Sequence, residues 1–124
     1  MEWNLNLKKD RLEVGVSRVG RDLLICVSGG DKPHIGTAVV AVPRQSLTGS
    51  GRISSTSSVI NLSGHKDELL CRELAERICS STGCSVVCTG GFHADHITPQ
   101  QLSEVTNAVN TITAEIIEAL NIAG

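Results

Sequence analysis

Over roughly the first half of the chain, apolar residues either alternate with polar ones or run together in short blocks, a pattern that predicts strands. Trp3, Leu5 and Leu7 alternate with polar neighbours, and Leu12, Val14 and Val16 do the same, so the Lys8-Lys9-Asp10 tripeptide between them reads as a hairpin connection. Residues 21–28 and 37–42 are continuous apolar runs whose length and β-branching predict central strands buried on both faces. Residues 44–58 are rich in Ser, Thr and Gly, with Arg44 and Arg52 as their only charges. They read as a mobile connection, with a further strand near Ile53–Leu62.

The period then changes. Leu70, Leu74 and Ile78 fall at helical spacing with Cys71 and Ala75 beside them, behind Ser63 as a natural N-cap and Asp67 and Glu68 at the positive end of the helix dipole. Gly83 is the expected stop, and residues 84–89 form a short buried strand. Thr98-Pro99-Gln100-Gln101 opens a last helix with Pro at its first position and a capping box, and Leu102, Val105, Val109, Ile112, Ile116 and Ala119 trace one stripe along it. Strands, helix, strand, helix predict an α+β fold: a mainly antiparallel β-sheet with two helices packed on one face. Residues 1–124 fit one domain. If both faces of the central strands are apolar, the face without helices needs cover too, and a two-fold homo-oligomer is the simplest source of it.

Composition narrows the partners. One Trp, one Phe and no Tyr leave an aliphatic core, and a net charge of −2 with so few stacking rings argues against nucleic acid. Five cysteines, Cys26, Cys71, Cys79, Cys84 and Cys88, form an odd set without a CxxC pair. They read as buried free thiols of a reducing compartment, with a Cys84/Cys88 redox pair or thiolate metal ligands as alternatives. No basic segment followed by an apolar one opens the chain, and no stretch reaches membrane-spanning length, so a cytoplasmic protein without a membrane partner is expected.

All four histidines fall in three polar segments: Gly29-Gly30-Asp31-Lys32-Pro33-His34-Ile35-Gly36, Ser63-Gly64-His65-Lys66-Asp67-Glu68, and Gly90-Gly91-Phe92-His93-Ala94-Asp95-His96. In the first, paired glycines permit close backbone approach to a ligand and Lys32 adds positive charge, although the same residues also suit a plain strand-connecting turn. In the second, His65 and Lys66 stand at a helix N-terminus, where unpaired N–H groups attract anions, although a solvated first turn looks the same and no Walker spacing is present. The third could bind metal through His93 and His96 together with His34 or His65, but an HxxH pair in a loop is a weak signal beside HExxH on a helix. Brought to one end of the sheet, Lys32, Lys66 and the helix start would hold a phosphate, with His34, His65, His93 and His96 lining the wall around the rest of the ligand. No nucleophile elbow or Ser-His-Asp order is present to suggest a hydrolase.

The ordered set GGDKPHIG, SGHKDELL and GGFHADHITPQQ resembles the small LpdD-like proteins that accompany UbiD-type gallate and protocatechuate decarboxylases. The resemblance covers nearly the whole chain. It implies a fold similar to proteasome-assembly chaperones and a non-catalytic protein that holds or hands over prenylated FMN or FMN to a UbiD-type decarboxylase. The loop argument nominates Gly29, Gly30, Lys32, His34, Gly64, His65, Lys66, His93 and His96 as cofactor-binding residues. Trp3 and Phe92 are the only aromatics available for a flavin wall, with Ile35, Ile97 and valines supplying the rest. Two other readings stand beside this one: a small metal-dependent enzyme built on the four histidines, and a pure assembly chaperone that docks a partner on its apolar sheet face.

Overall fold

A computed structural model describes residues 4–9, 12–47, 49, 51–62 and 66–123. Six strands and two helices follow in the order β1 (Asn4–Lys9), β2 (Leu12–Val19), β3 (Asp22–Gly30), β4 (Thr37–Gln45), β5 (Ile53–Asn61), α1 (Lys66–Thr82), β6 (Val86–His93) and α2 (Pro99–Ala123). They form one sheet in the order β1-β2-β3-β6-β4-β5. Every pairing is antiparallel except β3 with β6. The α+β arrangement read from the sequence is the one observed.

Both helices pack on the same face. Leu12, Val14 and Val16 of β2, Leu23, Ile25 and Val27 of β3, Val39 and Ala41 of β4, and Val86 and Cys88 of β6 point into the core. Leu74, Ala75 and Ile78 of α1 and Val109, Ile112 and Ile116 of α2 close it. The capping box forms as expected: the Thr98 N–H donates to Gln101 Oε1 at 2.9 Å, and the Gln101 N–H donates to Thr98 Oγ1 at 3.1 Å. Gly83 stops α1 at φ 74°, with its N–H donating to Cys79 O at 2.8 Å.

Several expectations are corrected. Within one chain β3 and β4 are buried on one face only, because the helices cover only that face and alternate side chains point away from it. Leu24, Val87 and Val40 stand in register across three adjacent strands of the open face and are partly exposed, as is Val42. Cys26 lies on that face too, so the thiols are not uniformly buried: Cys71, Cys79 and Cys88 are, Cys84 is half-buried and Cys26 is exposed. Lys8 and Lys9 are strand residues of β1, paired with Glu13 and Leu12, and not the hairpin connection, while Asp10 lies outside the described residues. Of the connection read over residues 44–58, Arg44 and Gln45 belong to β4, whereas the strand expected near Ile53–Leu62 is observed as β5. The last strand extends past Thr89 to His93, so Gly90, Gly91, Phe92 and His93 are strand residues and not a loop.

The edge strand β5 is tied to α1 by polar groups. Ser57 Oγ donates to Glu76 Oε1 at 2.6 Å, Arg72 Nε donates to the same oxygen at 2.8 Å, and Asn61 Nδ2 donates to Glu68 Oε1 at 2.6 Å. Burial alone would raise the Glu76 carboxyl, but the Ser57 hydroxyl and the Arg72 guanidinium outweigh it and hold the group below the usual carboxylate range.

Candidate functional site

Parallel pairing of β3 with β6 sets the carboxyl ends of both strands side by side. β4, antiparallel to β6, begins at this end of the sheet, where α1 also begins and from which α2 departs. Residues of all three polar segments therefore meet at one pole.

The joints between them are tight. The Asp31 N–H donates to His93 O at 2.7 Å, Gly36 N–H to Gly90 O at 2.8 Å, and Asp95 N–H to Asp31 Oδ2 at 3.1 Å. Gly30, at φ 79°, could not carry a side chain, since its Cβ would stand 2.0 Å from His93 O. At Gly36 a Cβ would stand 2.1 Å from Asp67 Oδ2. Contacts within the protein thus account for these glycines. Gly29 and Gly30 end strand β3, paired with Phe92 and His93, and Gly29 is buried.

Asp67, in the first turn of α1, is the centre of the arrangement. Its carboxylate is only 2% exposed. Oδ2 meets His34 Nε2 at 3.0 Å, and Oδ1 accepts the Phe92 N–H at 2.9 Å. One side chain thus joins the three segments. The second ring nitrogen of His34, Nδ1, meets the Lys32 carbonyl at 3.0 Å. Across from it stands His93, its ring centroid 6.5 Å away at 76° between planes. His93 Nε2 lies 3.0 Å from Asp95 Oδ1, and Asp95 Oδ2 lies 3.9 Å from Lys32 Nζ. His96 sits in the turn before α2 with φ 56°, a left-handed conformation that costs a non-glycine residue on the order of 1 kcal/mol.

Of the residues read from the sequence, Lys32, His34, His93 and the end of β3 are brought together, with His96 on the adjoining turn. Gly64, His65 and the N-cap Ser63 lie outside the described residues, as does Trp3, and of Lys66 the structure describes the backbone position that opens α1. Phe92 is 2% exposed, with its ring in the core, so it offers no wall to a ligand, whereas Ile35 is exposed beside His34. Among the described residues, no group of three or more His, Cys, Asp and Glu side chains could hold a metal ion. Asp31, Asp67 and Asp95 were not among the residues nominated from the sequence. Asp67 carried a readable signal, because it continues the Cys71, Leu74, Ile78 stripe backwards onto the core side of the helix. Cys84 and Cys88 do not form an accessible pair: a hydrogen bond with Cys71, then burial, pushes the Cys88 thiol well up. No described helix is long and apolar enough to cross a membrane.

The chain resembles known proteins along nearly its whole length. Protein LpdD of Lactiplantibacillus plantarum is 32% identical over 104 residues, spanning 82% of this chain and 71% of that protein. A chain of a chaperone complex for yeast 20S proteasome assembly superimposes with a TM-score of 0.56 over 98% of this chain and 95% of its own, at 16% identity, a likeness of fold. The sequence profile of the prenylated flavin chaperone LpdD-like domain matches residues 7–121. By that match and the identity to Protein LpdD, this chain belongs to the LpdD-like chaperone family.

Proposed function

We propose that the chain is a non-catalytic binding and delivery protein for prenylated FMN, or FMN itself, and serves a UbiD-type decarboxylase in the cytoplasm. The observation that carries this reading is the convergence at one pole of Lys32, His34 and His93 with the start of α1 and the His96 turn. Membership in a family described by prenylated flavin supports the ligand class. The donor set fits such a ligand. The Lys32 side chain is 70% exposed and can reach an anion or a carbonyl oxygen, the His93 ring is open at its edge, and Ile35 offers an apolar side chain next to them. In this reading Lys66, at the first position of α1, holds the phosphate together with the N–H groups of the helix start. His65 joins His34, His93 and His96 in the wall around the rest of the ligand. The bare face of the sheet, with Leu24, Val40 and Val87 in one row, supports a further part of the proposal: a homo-oligomer in which this face meets a second copy.

Titration of the purified protein with FMN and prenylated FMN tests the ligand. A lysine at a helix N-terminus adds a charge-assisted hydrogen bond worth about 1.5–3 kcal/mol. Lys66→Ala is therefore expected to weaken binding roughly ten- to a hundred-fold with the fold intact. If neither flavin binds the wild type below about millimolar concentration, the cofactor reading is wrong. If both bind and Lys66→Ala changes nothing, the phosphate lies elsewhere.

A further inference from the structure

The two described histidines facing each other at the pole are unlike as hydrogen-bonding groups. His34 spends both ring nitrogens inside the protein, Nδ1 on the Lys32 carbonyl and Nε2 on the Asp67 carboxylate. A ligand can meet only its carbon edge or its ring face. His93 spends one nitrogen: Nε2 faces Asp95 Oδ1 at 3.0 Å, and among the described residues Nδ1 has no hydrogen-bond partner. An ionised carboxylate accepts and cannot donate, so the Nε2 facing it carries the proton. In the neutral ring, Nδ1 is then an acceptor with its lone pair in the ring plane. The side chain is 39% exposed, so a ligand can reach the ring.

Lys32 is linked to the same ring through Asp95, whose Oδ2 lies 3.9 Å from its Nζ, and its exposed ammonium can only donate. An acceptor beside a cationic donor suits a phosphate poorly, because a phosphate monoester near neutral pH has almost no proton to give. The carboxylates of Asp31 and Asp95 at the same spot repel it further. The pair instead matches an N–H flanked by carbonyl oxygen.

We propose that His93 Nδ1 accepts a hydrogen bond from an imide N–H of the ligand, the polar edge of a flavin-type ring system, while Lys32 Nζ donates to the neighbouring carbonyl oxygen. Asp95 sets the His93 tautomer. Asp67 acts at one remove, as a positioning residue that holds His34 and the end of β6 in place. The inference rests on the flavin reading above and says which end of the ligand meets His93: the ring edge, with the phosphate away from Asp31 and Asp95.

The test compares FMN with 3-methyl-FMN, whose imide hydrogen is replaced by a methyl group, on wild type and His93→Ala. Nitrogen-15 NMR of the histidine rings is recorded on the same wild-type protein. Methylation is expected to weaken binding to the wild type about ten-fold and to leave the His93→Ala affinity nearly unchanged. The spectrum is expected to show His93 protonated at Nε2. A methyl penalty equal in both proteins, or absent from the wild type, overturns the imide assignment while the flavin reading stands. A ring protonated at Nδ1 overturns it whatever the titrations show. If neither FMN nor prenylated FMN binds wild type whose His93 is protonated at Nε2, the flavin reading itself has failed and the imide assignment falls with it.

Discussion

At the pole, the side chain of one residue reaches all three polar segments. Asp67 is almost wholly enclosed, and both its oxygens are used, one by an imidazole and one by a backbone N–H. Truncation to alanine strands the Phe92 N–H away from water and releases His34, and hydrogen bonds to charged groups of this kind are worth about 1.5–3 kcal/mol each. Asp67→Ala is therefore expected to lower unfolding stability by about 2–3 kcal/mol in urea titration, with α1 still formed by circular dichroism. A change below about 0.5 kcal/mol would show that the carboxylate holds nothing together. At the same scale, Gly30 and Gly36 pack against His93 O and Asp67 Oδ2, so their lack of a side chain serves the joint between segments and is no measure of ligand approach.

Between elements, the edge strand β5 depends on α1 through Glu76, and this makes its attachment sensitive to acid. The folded Glu76 carboxyl lies below its ordinary value, so its contribution to stability is complete above about pH 4.3, the unfolded value, and is lost as pH falls through the folded one. Glu76→Gln lacks that titration but keeps every other carboxylate. The difference in Tm between wild type and Glu76→Gln is thus expected to shrink on acidification from about pH 6 to about pH 3. A difference that stays constant across that range would mean that the Ser57 and Arg72 contacts do not depend on the charge of Glu76. The last helix relies on its own residues at its start, where Thr98 and Gln101 bond reciprocally.

For the whole molecule, the sheet face opposite the helices is apolar in its centre and uncovered in one copy. Leu24, Val40 and Val87 form an apolar row across β3, β6 and β4, with Cys26 one pair further along β3. If a second copy covers this face, light scattering at micromolar concentration gives a dimer, and Leu24→Glu gives a folded monomer. Cys26 then reports the interface directly. Its labelling by a thiol reagent is expected to be fast in dilute or Leu24→Glu protein and slow in concentrated wild type. Cys71, Cys79 and Cys88 wait for unfolding in either case. A wild type that remains monomeric at micromolar concentration, with Cys26 equally reactive throughout, would rule this dimer out.

Local pattern by itself determined the α+β class, most of the strands, the turn at Gly83 and the capping box at Thr98, because period, glycine stops and caps act within a few residues. It also singled out the three polar segments, since every histidine outside the apolar pattern had to fall in one of them. Strand order was beyond its reach. Only the sheet reveals that β6 inserts between β3 and β4, and that parallel pairing with β3 carries Gly90, Gly91 and His93 into the strand. How much of β3 and β4 one copy buries was beyond it for the same reason: a continuous apolar run looks alike whether one chain covers both faces or leaves one for a partner. The roles of Asp67 and Asp95 depend on contacts between segments up to 33 residues apart in the case of Asp67, and on which nitrogen of each histidine is already spent. A hydrogen bond needs atoms about 3 Å apart in space, and that proximity exists only in the folded chain.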